Sequence, residues 1–188
     1  HETVPPDIAL AATVALEAGN VLHLPYLPFA VDLRDAEVFS PSILSSSKNT
    51  SFSPASGRVT GTTLTGDALA RLQQFVSRFS HAAGSLVAHL FPSYRGRFEV
   101  ARASFRPAEV AGRQTSWRKD DSRLHIDSFP ASPVQGRRIL RVFSNVNPEG
   151  RPRSWRVGGD FEEVAARFVH TLSLPWPGSA ALLRAFRV

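Results

Sequence analysis

The stretch "RKDDSRLHIDSFP", residues 118–130, sets an imidazole and a carboxylate two residues apart, His125 and Asp127. In an extended strand, side chains alternate between faces, so an H-x-D pair projects to one side without special backbone geometry. Joined by a second histidine from a distant strand, such a pair makes the facial triad that holds non-haem iron(II) with open positions. A bland alternative is open at this point: His125 as a satisfied core histidine, and "RKDDSR" as a turn in which Asp120 and Asp121 pair with Arg118 and Arg123.

Composition narrows the chemistry. There is no cysteine among the 188 residues, so thiolate sites and disulfides are excluded and a metal must be held by His, Asp or Glu. Lys+Arg 22 against Asp+Glu 16 gives a net charge of +6. The excess is mostly arginine, which favours bidentate contact with carboxylate or phosphate. A hydrophobic fraction of 43% describes a globular protein, and no apolar run reaches the roughly 18 residues of a membrane span. The basic charge alone also suits a module that binds polyanions or acidic lipid. RNP-type aromatics, zinc spacing and a basic helix are all missing, so nucleic acid is not an expected partner.

The elements that must position the pair follow from periodicity. "PPDIALAATVALEAG" predicts a helix between Pro5–Pro6 and Gly19. Residues 40–60, rich in Ser, Pro and Gly around Lys48 and Asn49, predict a long loop. Leu69, Leu72, Phe75, Phe79, Leu86 and Leu90 recur at helical spacing between Asp67 and Pro92, which predicts the main helix. His81 and His89 lie on it two turns apart, too far to share a metal ion. After Pro92 the period changes: "RFEVARASFRPAEV", "SRLHIDSF" and "RRILRVFSNVN" predict strands. "GGDFEEVAARFVHTL" then predicts a helix with acids in its first turn. One domain over 1–188 is expected, helical and looped through 1–92 and strand-rich over 93–188: an α+β organisation with helices packed on one sheet.

H-x-D, then R-x-L-R-x-F-x-N-x-N-P from Arg138 to Pro148, then the Gly-Gly turn at 158–159 resembles the core of iron(II)- and 2-oxoglutarate-dependent dioxygenases. The longer string from Thr115 to Gly158, with "FSPSILSSSKNTSF" and "PGSAALLRAF", is similar to the narrower Kdo (3-deoxy-D-manno-oct-2-ulosonic acid) hydroxylase family. The resemblance implies a double-stranded β-helix, or jelly-roll, core. It implies His125 and Asp127 as metal ligands, with Arg141, Asn145 and Asn147 toward the co-substrate and Arg118, Lys119 and Arg123 toward an anionic sugar substrate. For Asn145 and Asn147, fixing the strand end is an equal alternative.

The implied activity is hydroxylation, at C3, of the Kdo sugar of a lipid A or lipopolysaccharide precursor, using iron(II), 2-oxoglutarate and O2. The family's second histidine and the arginine after it have no match in the expected place. They are therefore expected beyond residue 188, which implies a protein incomplete at its C-terminus, with an inactive fragment as one alternative and His170 with Arg184 as the pair in another. The lack of a signal and the need for 2-oxoglutarate imply a bacterial cytoplasmic location, with peripheral contact at the inner membrane.

Overall fold

The structure, a computed structural model, describes residues 4–107, 120, 123–125 and 134–171. It forms two compact units, His1–Arg113 with Phe143–Arg153, and Gln114–Val142 with Ser154–Val188.

The first unit is built on helix α2, Gly66–Leu90. Leu72, Phe75, Val76, Ser80 and Val87 are its buried residues, falling at helical intervals, and Phe91 and Pro92 end it. That is the helix expected from periodicity, with Asp67 in its first turn. Leu69, Phe79, Leu86 and Leu90, also expected on its apolar stripe, are half-buried at the edge of the core. His81 is exposed and His89 half-buried. Helix α1, Pro6–Glu17, forms where its proline start and Gly19 stop place it. The Tyr94 hydroxyl donates to Glu17 at its C-terminal end.

Residues 40–60 correct the expectation of a long loop. Thr50–Ser53 (β1) and Arg58–Thr60 (β2) form an antiparallel hairpin, and Ala103–Phe105 (β3) adds on the far side of β1, giving the order β2-β1-β3. The serines that read as loop composition alternate with apolar residues. Thr50, Phe52 and Phe105 turn inward and are buried, and Val59 and Ala103 pack on the same core. Ser51, Ser53, Arg58, Thr60 and Ser104 occupy the other face, as the two-residue period requires. Helix α2 covers the inner face, so the core is a helix on a small sheet: Val38, Ile43, Phe52, Leu72, Phe75, Val76 and Phe105.

Two glycines in this hairpin region have left-handed backbones, Gly57 at φ +66° and Gly61 at φ +80°. A Cβ on Gly61 would lie 2.6 Å from the Asn49 carbonyl oxygen, whereas one on Gly57 meets nothing nearer than 4.0 Å. Gly61→Ala is therefore expected to destabilise by about 2–3 kcal/mol and Gly57→Ala by about 1 kcal/mol, read from urea melts. Equal losses at the two positions would show that the Asn49 contact is not what requires glycine.

The segment that leads into β1 is pinned by charge. Asp32 caps the short 3-10 helix Leu33–Phe39 by accepting from Arg34 N, and Asp35 accepts from Asp32 N in return. Asp35, buried, also receives Arg78 of α2 at 2.5 Å, and Glu37 receives Arg71 at 2.6 Å. The Arg34 side chain donates to the Asp32 carboxylate and holds its pKa down, from 3.8 to about 2. Because the folded value lies below the unfolded one, the Asp32 contribution is complete above pH ~4. It fades as pH falls toward 2. Asp32→Asn should give a shallower fall of melting temperature over that window than the native protein; superimposable pH profiles would sink the assignment.

Two strand expectations fail. Of "RFEVARASFRPAEV" only Ala103–Phe105 is strand among the described residues, and residues 137–147 form none. Strand propensity measures fit to a pleated, half-buried surface. Ile139, Leu140 and Phe143 are instead 48%, 40% and 61% exposed among the described residues. Sheet content among the described residues is thus the three strands above.

In the second unit, helix α3 spans Phe161–Phe168 with Glu162 and Glu163 in its first turn, as its sequence predicts. Asp160 caps it by accepting from Glu162 N and Glu163 N.

Candidate metal centre

Over the described residues 123–125 His125 lies on an exposed stretch without regular structure, and the rest of the expected strand falls outside the described residues. Its Nδ1 is 2.7 Å from the Arg123 carbonyl oxygen. A carbonyl has no proton to give, so Nδ1 carries the hydrogen and the lone pair of the neutral ring sits on Nε2. A backbone carbonyl fixing one nitrogen so that the other can ligate is the usual arrangement around a histidine-bound metal. The donor chemistry at His125 thus fits an iron(II) ligand. Asp127, Arg118 and Lys119 lie outside the described residues, as does Arg184. Among the described residues no cluster of three metal-ligating side chains occurs.

The charged approach is in part the ion-paired turn that was the bland alternative. Arg123 N donates to the Asp120 carbonyl, and Arg123 Nε lies 3.2 Å from Asp120 Oδ2. Both side chains are partly exposed, so the pair contributes little stability. Its effect is local, closing the turn whose carbonyl orients His125.

Gly158, half of the Gly-Gly turn, meets the residue beside His125. A Cβ there would fall 2.5 Å from Leu124 Cδ1 and 2.9 Å from Cδ2. Glycine at this position admits the Leu124 side chain against the turn. Sequence reading named the Gly-Gly turn but not this contact, which no spacing rule reveals.

Asn145 and Asn147, in the first unit, serve a turn. Asn145 Nδ2 donates to the Arg151 carbonyl, and its Oδ1 accepts from Asn147 N. Asn147 Oδ1 accepts from Glu149 N and its carbonyl from Gly150 N. These hydrogen bonds fix the backbone, one of the two roles expected for these asparagines. Val146, between them, packs on the first unit's core. Arg141, expected toward the co-substrate, is exposed in the second unit. His170 sits in the 3-10 turn Val169–Thr171 after α3 and is exposed.

No helix among the described residues is long and apolar enough to cross a membrane. No curated protein sequence matches this one. Solved structures do. The Kdo hydroxylase KdoO, a non-haem Fe(II) α-ketoglutarate-dependent dioxygenase in complex with cobalt(II), is 40% identical with a TM-score of 0.92, over 99% of this chain and 63% of that one. Its complex with α-ketoglutarate and Fe(III) matches at 39% identity and a TM-score of 0.91, over 99% and 62%. The apo structure gives 40% and 0.92, again over 99% and 62%. The chain therefore spans a little under two thirds of the length of these structures. A family model described as 3-deoxy-D-manno-oct-2-ulosonic acid (Kdo) hydroxylase matches residues 1–188, and the chain belongs to that family.

Proposed function

We propose that the chain is part of an iron(II)- and 2-oxoglutarate-dependent dioxygenase that hydroxylates the Kdo sugar of a lipopolysaccharide precursor, at C3 by family resemblance. The observation that carries it is the His125 ring, held by the Arg123 carbonyl with its lone pair on Nε2, in a sequence matched along its whole length by the Kdo hydroxylase model. His125 and Asp127 are the proposed ligands. Arg141 is assigned to a carboxylate of 2-oxoglutarate, and Arg118, Lys119 and Arg123 to the anionic groups of the sugar substrate.

When bound, iron(II) with 2-oxoglutarate and O2 would supply the oxidising power. The protein's own residues supply position: the Asp120–Arg123 turn orients the imidazole, Gly158 admits Leu124 beside it, and the arginines fix the anions. A double-stranded β-helix core, as the family resemblance implies, is proposed for the enzyme of which these residues are part. The enzyme is placed in the cytoplasm, with peripheral membrane contact where a lipid-linked substrate lies.

Anaerobic titration with iron(II) and 2-oxoglutarate, of these residues and of a longer chain that continues past residue 188, tests this reading. A visible charge-transfer band requiring both components is expected. A band in the longer chain alone places the remaining ligand past residue 188; a longer chain that stays colourless under saturating iron(II) and 2-oxoglutarate shows that the proposed site is wrong.

A further inference from the structure

The outward face of the three-stranded sheet carries a second cationic site. Register sets Arg58 of β2 opposite Ser53 of β1. Continuing the β1–β3 pairing one residue past Phe52 and Ala103 brings Arg102 to the other side of the same serine. Neighbouring strands lie about 4.8 Å apart, so the two arginine backbones are about 10 Å from each other with a hydroxyl between them. Ser51, Ser53, Ser56, Arg58, Thr60 and Arg102 line one cavity of about 270 Å³. The residues that line it are two arginines and four hydroxyl-bearing residues, with no acid among them.

Three other arginines in this unit are matched with acids, Arg34 with Asp32, Arg71 with Glu37 and Arg78 with Asp35. Arg58 and Arg102 stand on the same sheet face with no carboxylate in the cavity they share. Two like charges held near one another on a rigid sheet favour a bound anion that neutralises both.

We propose that this face binds a phosphate monoester. A carboxylate is satisfied by one guanidinium fork, whereas this cavity offers two forks and serine hydroxyls between them. A phosphate monoester has three terminal oxygens and a charge of about −1.5 to −2, which matches that donor set. Ser51 and Ser53 are half-buried in the sheet, so the floor of the site is fixed before the ligand arrives. The inference rests on this face alone and does not depend on the iron-site reading.

The test is titration of the protein with inorganic phosphate at low ionic strength, followed by amide shifts in the two-dimensional nitrogen spectrum. Saturable shifts confined to residues 50–60 and 102–105, with a half-point below about 10 mM, are expected. The double variant Arg58→Gln/Arg102→Gln should bind at least about tenfold more weakly, and Ser53→Ala should weaken binding with both charges intact.

Vesicles of phosphatidylcholine with and without phosphatidic acid distinguish the source. Sedimentation with the phosphatidic acid vesicles, lost in the double variant, assigns a lipid-borne phosphate; phosphate binding without sedimentation assigns a soluble phosphate ester. The absence of saturable phosphate binding by the native protein overturns the proposal. So does undiminished binding by a double variant with native circular dichroism. The iron(II)–2-oxoglutarate band should be the same in the double variant, so the two sites can fail separately.

Discussion

Phe75→Ala is expected to cost the first unit about 3–5 kcal/mol, the range for emptying a fully packed aromatic position. Phe75 is 2% exposed. Its ring meets Phe29, Phe39 and Phe105 edge-on at centroid distances of 5.7, 5.5 and 5.0 Å. Those partners come from three separate segments: the extended stretch after α1, the 3-10 helix, and β3. The ring is thus where α2, the sheet and the capped segment meet, and no one neighbour can move to fill the void without losing another contact. Arg78 adds its guanidinium 5.8 Å from the ring centroid. Phe75→Leu keeps most of the volume and should lose about 1–2 kcal/mol, chiefly the edge-to-face terms. Phe79, half-buried with one ring contact at 5.4 Å to Phe29, sets the comparison. Urea unfolding by circular dichroism reads all three. A Phe75→Ala loss no larger than that of Phe79→Ala would show that the cluster does not organise the core.

Helix α2 was legible because its 25 residues repeat the helical period about seven times and are closed by a proline. Helices α1 and α3 were legible from their ends, Pro and Gly for one, Asp160 with two glutamates for the other. The hairpin was not. Strands of four and three residues give each face at most two side chains, and their serines and threonines carry the composition of a loop. Residues 137–147 show the reverse error: apolar alternation is a preference for an edge, and only the fold decides whether an edge is there.

The same limit divides the sites. The H-x-D pair is visible because its two members are two residues apart. The turn bonds of Asn145 and Asn147 were not legible, because an amide that reaches a ligand and one that closes a turn look identical in sequence. The Arg58–Ser53–Arg102 row joins residues up to 49 positions apart in sequence through strand register, which no local pattern encodes.

His125→Ala should abolish the charge-transfer band of the iron(II)–2-oxoglutarate complex and weaken metal binding by at least about 100-fold. The lower bound follows from outer-sphere partners of metal ligands, whose loss alone costs roughly 10–100-fold; removal of the ligand itself must cost more. Cobalt(II) titration gives a readout independent of turnover, since the absorption of a bound cobalt ion reports its ligands directly. The ring is exposed, so the substitution should leave unfolding free energy within about 0.5 kcal/mol of native, which separates lost ligation from lost structure. Arg123→Ala makes the sharper comparison. It removes the Nε contact with Asp120 but keeps the carbonyl that accepts from His125 Nδ1. If that carbonyl is what orients the ring, Arg123→Ala keeps the metal with affinity reduced a few-fold, while His125→Ala loses it. A band that survives His125→Ala would remove this histidine from the coordination sphere. An Arg123→Ala variant as defective in cobalt binding as His125→Ala would show that the ion-paired side chain, rather than the carbonyl, holds the ligand in place.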